Sequence, residues 1–498
     1  MTKIRVTYSG LISFAVGLAS VITGTAFTLI VTRQFSSDEL GFWTLIGGLL
    51  SYVVISESII SYWVTREIAR GTESGRTAVT SSGIFSFISI IIYFVITIFI
   101  GYQTKIDKNI LFFASILIPV MFLNRTLGAI NFGWKPHASS YGIIIFEVSK
   151  VPAGLILVYF LHLGISGAIL TTFIAYLLST VIQLYYARDK IKKKIRIEFI
   201  KKWIKLSWLS YFPQISNLII KLDVSIYAII VGSVTGLAYY TAAVTVASLV
   251  GQAGNVSRAL YPKLLEGDKH EYLQENLIRV FYFMIPLTAL SIVFVRPALF
   301  ALNPLYEITS TVAIFMIIRM FFNTLTGVFY PALTGIERVD VDEKSTFKDY
   351  LRSKLFLLPT LAVIQSSAYI IFLAVGFLVL ASNKVAQLDM VIYWSVITLF
   401  TEVFFTVYLY FLIRKNFTLS IDYKSLLKYS LTSMCVFIPS YFLSVQFLEF
   451  KKSIFEFLPN LFLFVGLGML CYLLITYFID NRTKKLFNGI ITEIRGRI

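Results

Sequence analysis

Nine charged side chains stand inside apolar runs of this 498-residue chain: Glu57, Arg125, Glu147, Lys150, Lys221, Asp223, Arg258, Arg319 and Glu402. A charge at mid-membrane costs at least ~2.5–3.5 kcal/mol, so each needs a partner or a wet cavity. Carboxylates there can hold a proton or a cation, and cations can hold an anionic group. Glu57, Arg125, Glu147 and Lys150 carry no net charge and could satisfy one another. Glu147 and Lys150 are three apart, on one helical face. Lys221, Asp223, Arg258, Arg319 and Glu402 leave one cation in excess, which suits an anionic ligand. Glu57, Asp223 and Glu402 are the candidates for ion or proton coupling. Arg125, Glu147, Lys150 and Arg319 join them either in coupling or in interior pairing. The plainer alternative is that each carboxylate only neutralises a neighbour.

Polar stripes say where a cavity could lie. Thr241, Thr245, Ser248, Gln252 and Asn255 recur every three or four residues, and Arg258 follows just beyond. Gln214, Asn217, Lys221 and Ser225 have similar spacing, and Pro213 is placed to bend their helix. Two adjacent stripes with cations predict a water-filled path; polar contacts between helices are the alternative. The candidate substrate-binding residues are therefore Arg258, Lys221, Asn255, Gln252 and Asn217, with Arg66 at a span end. A guanidinium donates two parallel hydrogen bonds to a phosphate, whereas an Arg near a helix end can also simply reach lipid phosphate. No Walker loop occurs, His137, His162 and His270 have no metal spacing, and Cys435 and Cys471 lie in apolar runs. The expectation is no catalytic residue, no metal and no cofactor, with H+, Na+ or the membrane potential as the driving force.

These residues need helices that cross lipid. The chain is 57% hydrophobic and 14% charged, well below the ~25% charged typical of soluble domains. Mean hydropathy is +0.79. The runs are apolar all round for ~20 residues, so helices, not barrel strands, are the spanning elements. About fourteen spans are predicted: 8–32, 41–63, 80–101, 110–132, 139–160, 164–186, 208–231, 237–261, 276–300, 308–333, 356–381, 388–412, 429–448 and 454–478. Alternate loops hold 31 and 7 basic residues. The richer set is cytoplasmic by the positive-inside rule, with both termini inside. The net charge of +17 thus reports orientation and lipid contact, not nucleic acid.

The chain also repeats itself. Glu39-Leu40-Gly41-Phe42-Trp43 aligns with Gly236-Leu237-Ala238-Tyr239-Tyr240, and Arg66 then falls on Lys263. This predicts two parallel six-helix repeats plus two C-terminal helices, in an all-α polytopic membrane protein. The expected domains are a lobe over 1–187, a basic interfacial linker helix over 188–205, a second lobe over 206–415, and two helices with a basic tail over 416–498. In the linker, Ile191, Ile195, Phe199, Trp203 and Ile204 fall near one face, which predicts contact with anionic membrane lipids.

The opening GLISFAVGLASVITGTAFTLIVTRQFSSDELGFWTLI resembles the start of Wzx-type polysaccharide and lipid-linked oligosaccharide flippases of the MOP superfamily. Pro213, Asp223, Gly236, Tyr239, Tyr240 and Pro262-Lys263 hold the places of that family's seventh- and eighth-helix motif, with Ala238 where the turn glycine is expected. The resemblance implies a non-enzymatic flippase that moves a polyprenyl-(di)phosphate-linked oligosaccharide to the outer leaflet by alternating access. It implies the plasma membrane, multi-pass, and glycan-assembly enzymes as further partners. The alternatives are a MATE-like drug or cation antiporter, and a membrane glycosyltransferase or polymerase. The short external loops, with no acid–His pair, speak against the enzyme.

The topology is testable. In a background free of Cys435 and Cys471, Lys193→Cys should stay unlabelled by an impermeant thiol reagent in intact cells. Labelling there would overturn the assigned orientation.

Overall fold

The computed structural model describes residues 23–24, 26–69, 71–104, 108–205, 207–257, 270–337, 347–417, 422–451 and 453–484. These residues form helices and no strand. Twelve helices among them are long and apolar enough to cross a membrane. They coincide with every predicted span except the first and the eighth. The first lies largely outside the described residues. The eighth is helix Thr235–Gly251, 17 residues long, continued by a 3-10 segment Gln252–Ser257.

Local sequence explains several helix ends. Span two starts at a capping box, in which Ser36 accepts from the Glu39 N–H and the Glu39 carboxylate accepts from the Ser36 N–H at 2.9 Å. Helix Leu222–Val231 closes on Gly232 at φ 68°, a conformation glycine adopts without strain. Gly41 is needed for a different reason. A Cβ there would sit 1.8 Å from the carbonyl oxygen of Val234.

The chain divides into two compact units: Met1–Ala238 with Ser366–Gln387, and Tyr239–Gln365 with Leu388–Ile498. In the first, Ile60, Val64 and Ile68 of span two pack with Ala78, Leu127, Ile130, Ala187 and Trp203. Trp203 belongs to the linker, whose helix covers only Ile197–Lys205. Six of the nine residues from Arg188 to Arg196 are basic, and their mutual repulsion opposes a helix there. The linker docks through its aromatics. Trp203 Nε1 donates to Glu67 at 3.2 Å, the Lys202 ammonium lies 3.1 Å from the same carboxylate, and Thr77 accepts from the Arg196 N–H. Trp203, Phe199 and Ile191 therefore face the bundle, while Ile195, Ile197 and Ile204 stay exposed. The single apolar face expected from the sequence is thus divided between protein and surroundings.

In the second unit, spans nine, thirteen and fourteen share an aromatic core that includes Tyr282, Tyr429, Phe437, Phe457 and Tyr472. A buried carboxylate locks its end. Asp480 accepts from the Tyr429 hydroxyl at 3.1 Å and from the Thr483 hydroxyl at 2.9 Å, with Lys428 at 3.6 Å. Burial works to raise the Asp480 pKa, but the Thr483 side-chain and backbone donors, Tyr429 and Lys428 outweigh it and hold it below the ordinary carboxylate range. A group so depressed contributes stability that is full above its unfolded pKa of ~3.9 and is lost as pH falls through the folded value. Purified Asp480→Asn should melt at a lower temperature than the parent near neutral pH, and the gap should narrow below about pH 4. A gap that does not change with pH would refute this role for Asp480.

Candidate functional site: interrupted spans and the charges beside them

Span two is a helix, Ser37–Val54, then a 3-10 turn, Ile55–Glu57, then a second helix, Ser58–Ala69. Span eight changes from α to 3-10 between Gly251 and Gln252. The alignment read from the sequence places Val54 on Gly251 and Ile55 on Gln252, so both repeats loosen at the same register. An interrupted helix within a membrane offers free backbone groups and is a common site of ligand or ion contact.

Glu57 occupies the first of these turns and is 2% exposed. Its carboxylate accepts from Ser61 and, at 2.9 Å, from Thr126. Arg125, next to Thr126, acts on it electrostatically. The second interruption, in span seven, falls at Lys221, between helices Ser207–Ile220 and Leu222–Val231. The helix continues through Pro213, and its break falls eight residues later. At the break the Tyr52 hydroxyl donates to the Lys221 carbonyl. The same hydroxyl lies 2.9 Å from Ser225.

Asp223 is buried and accepts from the Tyr369 hydroxyl at 2.9 Å and from the Val224 N–H at 2.7 Å. Lys221 and Arg125 are both exposed and within electrostatic range of one another, with Asp223 also acting on Lys221. Glu147 and Lys150 form the expected ion pair at 3.7 Å. Thr23 donates to Glu147, and the Lys150 ammonium stands 4.9 Å from the Phe27 ring centre. Tyr176 feels both Arg125 and Glu147. The first unit therefore gathers Glu57, Arg125, Glu147, Lys150, Lys221 and Asp223 on spans two, four, five and seven.

The other candidates are dispersed. Asn217 is exposed, one turn before Lys221, and donates to Gln214 at 3.2 Å. Arg66 is exposed and stacks over the Tyr62 ring at 4.4 Å. In the second unit, buried Glu402 accepts from Thr326 at 2.9 Å, and Thr326 also meets Thr406. Arg319 lies on the same helix as Thr326, seven residues earlier. Gln252 opens the 3-10 segment of span eight. In the stripe before it, Thr245 and Ser248 return their hydroxyls to carbonyls of their own helix, at 2.8 and 2.7 Å. Arg258 and the Asn255 side chain lie outside the described residues. Sequence reasoning missed Tyr52, Thr126 and Tyr369. Each is a lone hydroxyl far along the chain from its partner, with no spacing to announce it; only Ser61, one turn from Glu57, was discoverable.

The Tyr369–Asp223 bond joins two spans that are distant in sequence, and removing either partner takes a hydrogen bond from the other, so each single loss should exceed the worth of the bond itself. Hydrogen bonds to a charged group contribute roughly 1.5–3 kcal/mol. Tyr369→Phe should lower the unfolding temperature of the purified protein. Tyr369→Phe combined with Asp223→Asn should cost less than the two single effects added together. Full additivity would show that the two residues do not act as a pair.

No family model matches the chain, and no curated protein matches it in sequence. Solved structures do match by fold. A structure of the lipid II flippase MurJ, inward closed, superposes with TM-score 0.65 at 16% identity, over 94% of this chain and 98% of that one. An inward-facing multidrug resistance MATE transporter of the MOP superfamily superposes with TM-score 0.56 at 13% identity, over 81% and 98%. This multi-pass membrane chain shares the fold of those MOP-superfamily transporters.

Proposed function

We propose that this protein is a flippase that carries a polyprenyl-(di)phosphate-linked oligosaccharide from the cytoplasmic to the outer leaflet of the plasma membrane by alternating access, without enzymatic chemistry. The observation that carries the reading is the pair Arg125 and Lys221. Two exposed cations on spans four and seven lie within electrostatic range of each other. Asp223 acts on Lys221 and Glu57 on Arg125, and a diphosphate would give the two cations a further anionic partner. Lys221 also stands at the N-terminus of helix Leu222–Val231, whose dipole favours an anion. One solved structure sharing the fold is a lipid II flippase, which supports a lipid-linked cargo.

Arg258, Gln252, Asn255, Asn217 and Arg66 complete the proposed headgroup contacts, and Glu57, Asp223 and Glu402 are the proposed coupling groups. An anionic diphosphate leaving an inside-negative cell gains ~2.3 kcal/mol per charge per 100 mV, so no nucleotide is required. The exposed face of the linker, with Lys192, Lys193 and Ile195, rests on anionic headgroups in this reading, and glycan-assembly enzymes would receive the product.

Deletion of the gene should trap lipid-linked oligosaccharide in the inner leaflet. The parent should clear it, and Arg125→Ala with Lys221→Ala should not, although the protein is made and inserted. Arg258→Lys, which keeps the charge and loses the fork, should cut clearance by about tenfold or more. Unchanged glycans with altered drug tolerance in the deletion strain would instead establish the antiporter.

A further inference from the structure

Three cations at the linker end of spans four and six lack the carboxylate partners that their neighbours have. Lys192 reaches Asp189 at 2.8 Å, and Lys193 reaches Glu73 at 3.3 Å. Lys135, Arg188 and Lys190 make no ion pair among the described residues, and each rests on an aromatic ring instead. The Lys135 and Lys190 ammonium groups lie 4.1 and 5.2 Å from the centre of the same ring, that of Trp134. They therefore stand within ~10 Å of one another, about one Debye length at 0.1 M salt. The Arg188 guanidinium lies 4.8 Å from the centre of the Tyr185 ring. Asp189 feels Arg188 and Lys135, but Lys192 donates its hydrogen bond and is the main cause of its lowered pKa.

Other contacts fix these groups in place. Asn131 donates to the Gln183 carbonyl at 2.8 Å and to its side-chain oxygen at 3.1 Å, which sets the ends of spans four and six side by side. Trp134 Nε1 donates to Asn131 at 3.4 Å, so the indole is tied to that joint. The Lys190 N–H donates to the Ala187 carbonyl at 2.9 Å, and the Lys190 carbonyl lies so close to Gly75 that a Cβ there would stand 2.5 Å away. Trp134, Lys135 and Lys190 are half-buried. An aromatic face attracts an ammonium without using up its three donors, and a phosphate oxygen is the stronger partner for them. Toward the membrane interior the surface turns apolar. Phe132 lies three residues before Lys135, and Val181 and Leu184 precede Arg188 on one helical face. All three are exposed.

We infer that Trp134, Lys135, Arg188 and Lys190 seat the headgroup of one anionic phospholipid, in the leaflet on the linker's side of the membrane. Its phosphate accepts from both lysines, and an acyl chain lies along Phe132 and Leu184. A soluble phosphate would use the cations alone. The exposed apolar side chains beside them, and two aromatic rings of the kind that gather at headgroup level, fit a lipid. The seat differs from the linker's exposed face, where Lys192 and Lys193 are already paired and attraction to the membrane is spread over many headgroups. A phosphate between Lys135 and Lys190 also offsets their repulsion, so the bound lipid should stabilise the loop that leads into the linker. The inference uses neither cargo nor coupling, so it can fail while the flippase reading stands.

The test is native mass spectrometry of the full chain in neutral detergent, titrated with phosphatidylglycerol or with phosphatidylcholine of the same acyl chains. The parent should hold one phosphatidylglycerol about tenfold or more tightly than phosphatidylcholine. Lys135→Ala with Lys190→Ala should abolish that preference, and Lys135→Arg with Lys190→Arg should keep it. Lys201→Ala with Lys205→Ala removes the same charge from the linker helix and should bind within about twofold of the parent. Inorganic phosphate, added at the concentration of the lipid, should leave the lipid bound. The inference is overturned if the parent shows no preference for phosphatidylglycerol, or if inorganic phosphate displaces it. It is overturned equally if the two alanine pairs lose the preference alike, since net charge alone would then account for binding. Should the Lys135 and Lys190 alanine pair not fold, Lys135→Gln with Lys190→Gln keeps the side-chain length and decides the matter by the same loss.

Discussion

Everything in this molecule depends on one constraint: a polar group inside a membrane-spanning helix must find its partner within the protein. Helices meet it for the backbone, which is why long apolar runs become helices and not strands. Side chains have to meet it locally. Glu57 is met by Ser61 and Thr126, Asp223 by Tyr369, Glu402 by Thr326 and Glu147 by Lys150 and Thr23. Where span seven breaks, Tyr52 donates to the carbonyl of Lys221. The interruptions of spans two and seven are therefore built positions with assigned donors.

The same constraint separates structural from functional polarity. The stripe on span eight looks like a cavity wall in sequence, but Thr245 and Ser248 spend their hydroxyls on their own helix. Ser58, Ser81 and Ser82 on spans two and three do not make that bond. Arg125 and Lys221 are a third kind of case, exposed cations that act on one another beside the carboxylates of Glu57 and Asp223.

Much of the fold was legible because lipid imposes a strong one-dimensional signal. Twelve spans were visible as runs of about the right length, and Glu147 and Lys150 as an i,i+3 pair. The internal repeat was legible too, and the shared change from α to 3-10 after Val54 and Gly251 gives it a structural counterpart. What the sequence could not disclose are partnerships across large separations. Tyr369 is 146 residues from Asp223, and Tyr52 is 169 from Lys221. Pro213 lies within a continuous helix, and the break at Lys221, eight residues later, has no residue in sequence to announce it. The division of the linker's apolar residues was hidden for a related reason. A hydrophobic stripe reveals that a face is buried but not whether lipid or protein buries it, and Glu67 with Trp203 settles that only in three dimensions.

The central claim is that an anionic, lipid-linked saccharide crosses the membrane on this fold. Its most direct measurement uses purified protein in vesicles loaded with a polyprenyl-diphosphate-linked oligosaccharide. A saccharide-cleaving enzyme added outside reports arrival in the outer leaflet while a potassium diffusion potential is applied. The account requires faster arrival with protein than without, a further rise when the interior is made negative, and loss of both on replacing Arg125 and Lys221. Vesicles that expose no saccharide beyond the protein-free rate, yet exchange a cationic drug for protons, would contradict it.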